Sequence, residues 1–161
     1  WNKELYEAGL AVRKKVLGAQ YVDPNIEKAE NDPFTAKIQT MVTEYAWGAS
    51  WARGRLERRD RSILNLGMLA ALNRPDEFKL HFKGAIRNGL TVIELREICM
   101  HIAIYCGIPA SLEAFKLARQ VSPAGQFRGK FLTPPSGPVQ VLRDLHGIRC
   151  RSFAQIICNN P

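Results

Sequence analysis

A chain of 161 residues with 46% hydrophobic and 24% charged content has the make-up of one domain large enough for a single sizeable core. No apolar run reaches the ~18 residues a membrane-crossing helix needs, and the four cysteines show neither a Cys-x-x-Cys pair nor zinc-ligand spacing with a histidine. The net charge of +8 invites nucleic acid as a partner, yet the basic residues are spread over the whole chain and not drawn into one stripe. The chain opens on Trp1 instead of Met, so a removed targeting segment stays open.

Leu5, Leu10, Val12, Val16 and Leu17 recur at helical spacing and predict a helix over residues 3–17, closed by Gly18. Residues 19–32, with Asp23-Pro24-Asn25 and Asn31-Asp32-Pro33, read as a polar connection. Asp32 suits the N-cap of a helix from Pro33 to about Trp47, with Phe34, Ile38, Met41, Val42 and Tyr45 on its apolar side. Residues 48–56 read as a break rich in Trp and Arg. From Glu57 to Asn73 the pattern turns apolar on nearly every side, as a central buried helix does.

Pro75 suits the first position of a helix running to Asn88, with Gly89 closing it. Thr91 and Glu94 form a capping box for a helix to about Tyr105. Gly107-Ile108-Pro109 then breaks the chain before a last helix from Ala110 to Val121. No strand alternation appears before residue 122, so the fold class is all-α, with short connections that favour antiparallel neighbours. Residues 1–122 form this helical domain. Residues 123–161 form a basic extension rich in Pro and Gly, within which Val139 to Ile157 is open to reading as a short strand, a short helix or a segment packed on a neighbour. Cys99 and Cys106 are separated by ~10 Å of helical rise, too far to bridge. The cysteines read as packing residues of a reduced, cytoplasmic protein.

The string Arg74-x-x-Glu77-x-x-x-His81 sits where one long apolar helix ends and another begins. Its ordinary reading is a solvated helix start with an i,i+4 charge pair, worth ~0.3–0.5 kcal/mol. Its functional reading is an acid, an imidazole and a cation that hold an anion and move a proton. Arg53, Arg55, Arg58, Arg59 and Arg61 crowd together just upstream. They read either as a solvated helix start or as a basic cleft that draws in a di- or tricarboxylate.

Several motifs carry a resemblance. They include Tyr6-Glu7-Ala8-Gly9, the run from Val12 to Gly18, Tyr21-Val22-Asp23, Thr43 to Trp51, and Arg58 to Ser62. The densest are Ala71 to Pro75, Leu80-His81, Gly84-Ala85, Arg87-Asn88-Gly89 and His101 to Ala110. In this order they resemble the carboxymuconolactone decarboxylases over residues 3–122. The resemblance implies the all-α fold shared with the alkylhydroperoxidase D proteins, and homo-oligomers, trimers or hexamers, with sites near subunit contacts. In the peroxidase branch the matching helix opens with Cys-x-x-Cys-x-x-x-His. Here those cysteine positions are Arg74 and Glu77, and His81 keeps the histidine, so thiol redox chemistry is not expected at this site. Where the family usually reads Arg-Pro-Gly-Leu, this chain has Arg53-Gly54-Arg55-Leu56.

The implied reaction removes CO2 from 4-carboxymuconolactone with no metal and no organic cofactor, and it must hold carboxylates, stabilise an oxyanion and protonate carbon. His81 is the expected proton donor, with Glu77 orienting or recharging it. Arg74 is the expected carboxylate clamp, with Arg58 and Arg61 as second choices that otherwise read as ion-pairing residues. Glu44 either pairs with one of these arginines or takes part in proton transfer. Trp47 and Trp51 wall the pocket or fill the core. His101 and Tyr105 reach the same cavity or form a hydrogen-bonded core pair. The expected partner is a small carboxylated lactone, with no nucleic acid and no membrane. The altered loop and the extension also fit a relative that decarboxylates, isomerises or eliminates on another carboxylated metabolite. A basic oligomeric binding protein is the remaining reading, disfavoured because the arginines lack an interleaved aromatic platform.

Overall fold

The computed structural model describes residues 1–122; the expected extension over 123–161 lies outside the described residues. Within them the chain is all-α: α1 (Lys3–Leu17), α2 (Ala19–Glu30), α3 (Ala36–Met41), a π-helical segment (Val42–Trp51), α4 (Arg58–Ala71), α5 (Pro75–Arg87), α6 (Val92–Cys106) and α7 (Ile108–Val121). None of these helices is long and apolar enough to cross a membrane.

The helix ends follow from local chemistry. Asn2 accepts the backbone N–H of Leu5 at the start of α1, and Gly18 ends it with φ +89°. The α4–α5 junction is a Schellman turn with Asn73 at φ 51°, where Arg74 N–H reaches the Leu69 carbonyl and Asn73 N–H that of Ala70. Gly89 repeats the device after α5, with Leu90 N–H on the Ala85 carbonyl. The Thr91–Glu94 capping box forms as its residues predict: Thr91 N–H donates to Glu94 at 2.9 Å, and Glu94 N–H donates to the Thr91 hydroxyl at 3.2 Å.

Four expectations are corrected. Residues 19–32 are not a polar connection but α2, because Val22, Ile26 and Ala29 form an apolar stripe; Val22 and Ala29 are buried, and this overrides the turn signals at Pro24. The helix expected from Pro33 starts later. Asp32 instead caps a turn through Phe34 N–H and the Thr35 hydroxyl, and Phe34, Ile38, Met41 and Tyr45 are exposed. No break occurs at Gly48. The helix widens to i,i+5 bonding, as in Ala52 N–H to the Trp47 carbonyl at 2.8 Å, and runs through Trp51. Finally, α4 is not buried all round: Ser62 and Leu66 are buried, whereas Leu64, Met68 and Leu72 are exposed.

Two apolar clusters hold the helices. Leu66, Phe78, Phe82, Leu90, Leu95, Cys99, Ile102 and Leu117 tie α4 to α7 together. Val16, Leu17, Val22 and Trp47, with Leu10, Val12, Trp51 and Leu80 against them, join α1, α2 and the π segment. Helix α5 serves both, since Phe78 and Phe82 enter the first cluster while Leu80 meets the second. Glycines bring the chain segments close: a Cβ on Gly48 would lie 2.2 Å from the Leu5 carbonyl oxygen, and one on Gly9 2.1 Å from that of Thr43. His81 therefore sits on the helix that divides the two clusters.

Candidate functional site

The imidazole of His81 packs beside a pair of indoles. Trp47 stacks on it at 6.0 Å with the planes 5° apart, and Trp51 at 5.9 Å with 28° between planes. Trp47 and Trp51 are themselves 5.0 Å apart. The π-helical segment carries both tryptophans, which are four residues apart and so lie on one side of it, towards the same ring. Asn65 of α4 lies against the ring, its Nδ2 3.2 Å from Nδ1 and 3.4 Å from Nε2. An amide N–H facing a ring nitrogen is satisfied by a neutral imidazole that presents a lone pair. Burial agrees: it lowers the His81 pKa from 6.5 to about 4, and the charge of Glu77 one turn earlier offsets it only in part.

Glu77 itself is exposed and reaches His81 through its field. Arg74 caps α5 and lines a different cavity of about 370 Å³ with Asn73, Pro75, Phe78, Cys106 and Glu113, a wall that does not include His81. Arg61 faces neither. Its guanidinium binds the Leu56 carbonyl at 3.1 Å, the Arg53 carbonyl at 3.0 Å and the Ser50 hydroxyl at 3.4 Å, and so ties down the loop that follows Trp51. Arg58 is exposed, as are Arg53 and Arg55, and none of the three makes a side-chain hydrogen bond or ion pair with the described residues. Arg59 pairs with Glu94, which the Thr91 backbone N–H, the Thr91 hydroxyl and then Arg59 hold below the usual carboxylate range.

Glu44, expected to pair with an arginine, accepts the backbone N–H of Asn2 at 2.9 Å instead. His101 and Tyr105 touch each other at 4.7 Å between ring centroids but are exposed, so they form no core pair. They line an apolar groove of about 620 Å³ with Leu64, Met68 and Ile98 between α4 and α6. Burial pushes the Cys99 thiol up to about 11, as befits a packing residue, while Cys106 is exposed.

Two residues escaped the sequence reading. Asn65 carried a signal, being the one amide in the apolar run Ile63–Leu69. Arg13 carried none. Its guanidinium is buried, bound to Thr43 at 2.9 Å and to Gln39 at 3.1 Å, with its Nε unpaired. Burial lowers its pKa from the ordinary value, against a smaller opposing influence of Tyr21 and Tyr6.

Residues 36–120 match the model of the carboxymuconolactone decarboxylase family. The chain is 38% identical over 133 residues to the nitrosuccinic acid decarboxylase npaB of Metarhizium robertsii, a match that spans 83% of this chain and 92% of that protein. It is 38% identical over 120 residues to a 4-carboxymuconolactone decarboxylase of Acinetobacter baylyi, across 74% of this chain and 88% of the relative. A 4-carboxymuconolactone decarboxylase sequence from Pseudomonas putida matches at 45% over 47 residues, 29% of this chain and 94% of that sequence.

Proposed function

The chain belongs to the carboxymuconolactone decarboxylase family, and from that premise we propose that it decarboxylates 4-carboxymuconolactone to the enol-lactone without metal or organic cofactor. The single observation that carries the reading is His81 packed beside the Trp47–Trp51 pair with the Asn65 amide against its ring. When CO2 leaves, the electrons of the broken bond spread into the unsaturated lactone as a dienolate. The aromatic walls exclude water and keep the environment of that anion poorly solvated, where a nearby imidazole exchanges a proton with carbon effectively. Glu77 adds negative charge that favours the protonated ring. Arg53 and Arg55 on the loop after Trp51, and Arg58 at the start of α4, unengaged among the described residues, supply the positive potential that attracts a carboxylated substrate.

A second reading is favoured by that same loop, where Arg53-Gly54-Arg55-Leu56 departs from the family's usual Arg-Pro-Gly-Leu. Nitrosuccinic acid and 4-carboxymuconolactone share a carboxylate placed so that its electrons drain into an acceptor, a nitro group in one and an unsaturated lactone in the other. The alternative substrate is thus another carboxylated metabolite with such an acceptor. Incubation of purified protein with 4-carboxymuconolactone, following CO2 and the enol-lactone, decides between them. No lactone turnover in a fully helical sample sinks the first reading, and turnover of nitrosuccinic acid alone supports the second.

The exposed apolar side chains Leu64, Met68, Leu72, Ile104, Tyr105, Ile108 and Leu112 on α4, α6 and α7 support assembly into a trimer or hexamer. Light scattering on the purified chain tests this; a monomer at micromolar concentration removes it.

A further inference from the structure

We propose that Asn65 is the positioning residue through which His81 takes up and gives away its proton, because a side-chain amide can serve both forms of an imidazole. Its NH2 donates to the neutral ring. Turned over, its carbonyl accepts from the imidazolium. The inference rests on the decarboxylase reading of this site.

The geometry leaves Asn65 this role. Trp47 and Trp51, 5.0 Å from each other, lie on one side of the ring and offer no acceptor there, and Asn65 is the ring's hydrogen-bond partner among the described residues. The charged groups nearby are otherwise engaged. On α4, Arg61 stands one turn before Asn65 but is bound to Ser50, Arg53 and Leu56. The π segment's Glu44 is turned to Asn2, and the Arg13 guanidinium of α1 is held by Thr43 and Gln39. On α5, Glu77 acts on the ring by charge alone.

The proton count gives the role its content. Loss of CO2 leaves the electron pair of the broken bond on the substrate, and the new C–H bond consumes one proton. A ring that rests neutral therefore gains its proton once the carboxylate has arrived, since a neighbouring negative charge favours the imidazolium. After transfer to carbon, water returns a proton to the site for the next turnover. Each cycle requires the partner of the ring to change from donor to acceptor and back.

The test is an NMR titration of the imidazoles in the full chain, with the His81 signal identified by its loss in His81→Gln. Asn65→Asp, which at neutral pH offers only an acceptor and a negative charge, should raise the His81 midpoint by roughly one to three pH units. Asn65→Leu offers neither donor nor acceptor. It should keep the midpoint low and lower kcat for 4-carboxymuconolactone at least about tenfold, with KM little changed. An unmoved midpoint in Asn65→Asp, or full kcat in Asn65→Leu, overturns the proposal. The titration needs no substrate, so failure of the unaltered protein to turn over the lactone defeats the decarboxylase reading and leaves the Asp variant to judge Asn65.

Discussion

The Trp47 indole and the His81 imidazole lie nearly parallel, with 6.0 Å between ring centroids and 5° between planes. Trp47 is 5% exposed and belongs to the cluster formed by Val16, Leu17 and Val22, so the wall of the site is also a piece of the core. Trp47→Ala should cost about 3–5 kcal/mol of unfolding free energy. Trp51, half-buried beside it, should cost clearly less while impairing turnover as strongly. Urea unfolding and CO2 release measured on both variants separate the two contributions.

His81→Gln should lower decarboxylation about 10²–10⁴-fold while leaving the helical content unchanged. Circular dichroism and a CO2 assay on the same preparation check this.

Stability should depend on pH through the same residue. The folded-state value of about 4 lies below the ordinary 6.5, so between them the unfolded chain binds the additional proton. The contribution of neutral His81 is fully present above pH ~6.5 and is lost as pH falls towards ~4. Between pH 7 and pH 4 the unaltered protein should lose about 3 kcal/mol more stability than His81→Gln. Equal losses in urea titrations at the two pH values would remove the assigned shift.

Gly48→Ala places a methyl 2.2 Å from the Leu5 carbonyl oxygen, a backbone atom that cannot swing aside. The variant should lose about 1–3 kcal/mol or more as α1 is pushed off the π segment, and Trp47 fluorescence should shift with it.

Arg61→Lys keeps the charge but loses the planar fork that meets two carbonyls and a hydroxyl. Faster amide exchange across residues 52–57, with little change at α6 or α7, is the expected result.

How legible each part was depends on the range of the interaction that decides it. The ends of α1, α5 and α6 were readable because Gly18, Pro75, Gly89 and the Thr91–Glu94 pair act within one turn of themselves. Helix α2 was not, since the packing of Val22 and Ile26 in the second cluster outweighs the local turn preference of Asp23-Pro24-Asn25. The widening at Val42–Trp51 was invisible for a similar reason: Gly48 is small because Leu5 passes close by, a fact about another helix.

The site divides along the same line. The sequence by itself determined the all-α class and the family and singled out His81 as a candidate, since these rest on periodicity, capping and the order of motifs along one chain. It also grouped Arg74, Glu77 and His81, as residues on successive turns of one helix. The tertiary structure alone decided what faces the imidazole, because Trp47, Trp51 and Asn65 arrive from segments far away in the chain. It set Arg74 on another cavity, and by partly burying His81 it made a ring that titrates near neutrality in water into one that rests uncharged. Burial is a property of three dimensions, and here it is the quantity that sets the charge of the ring.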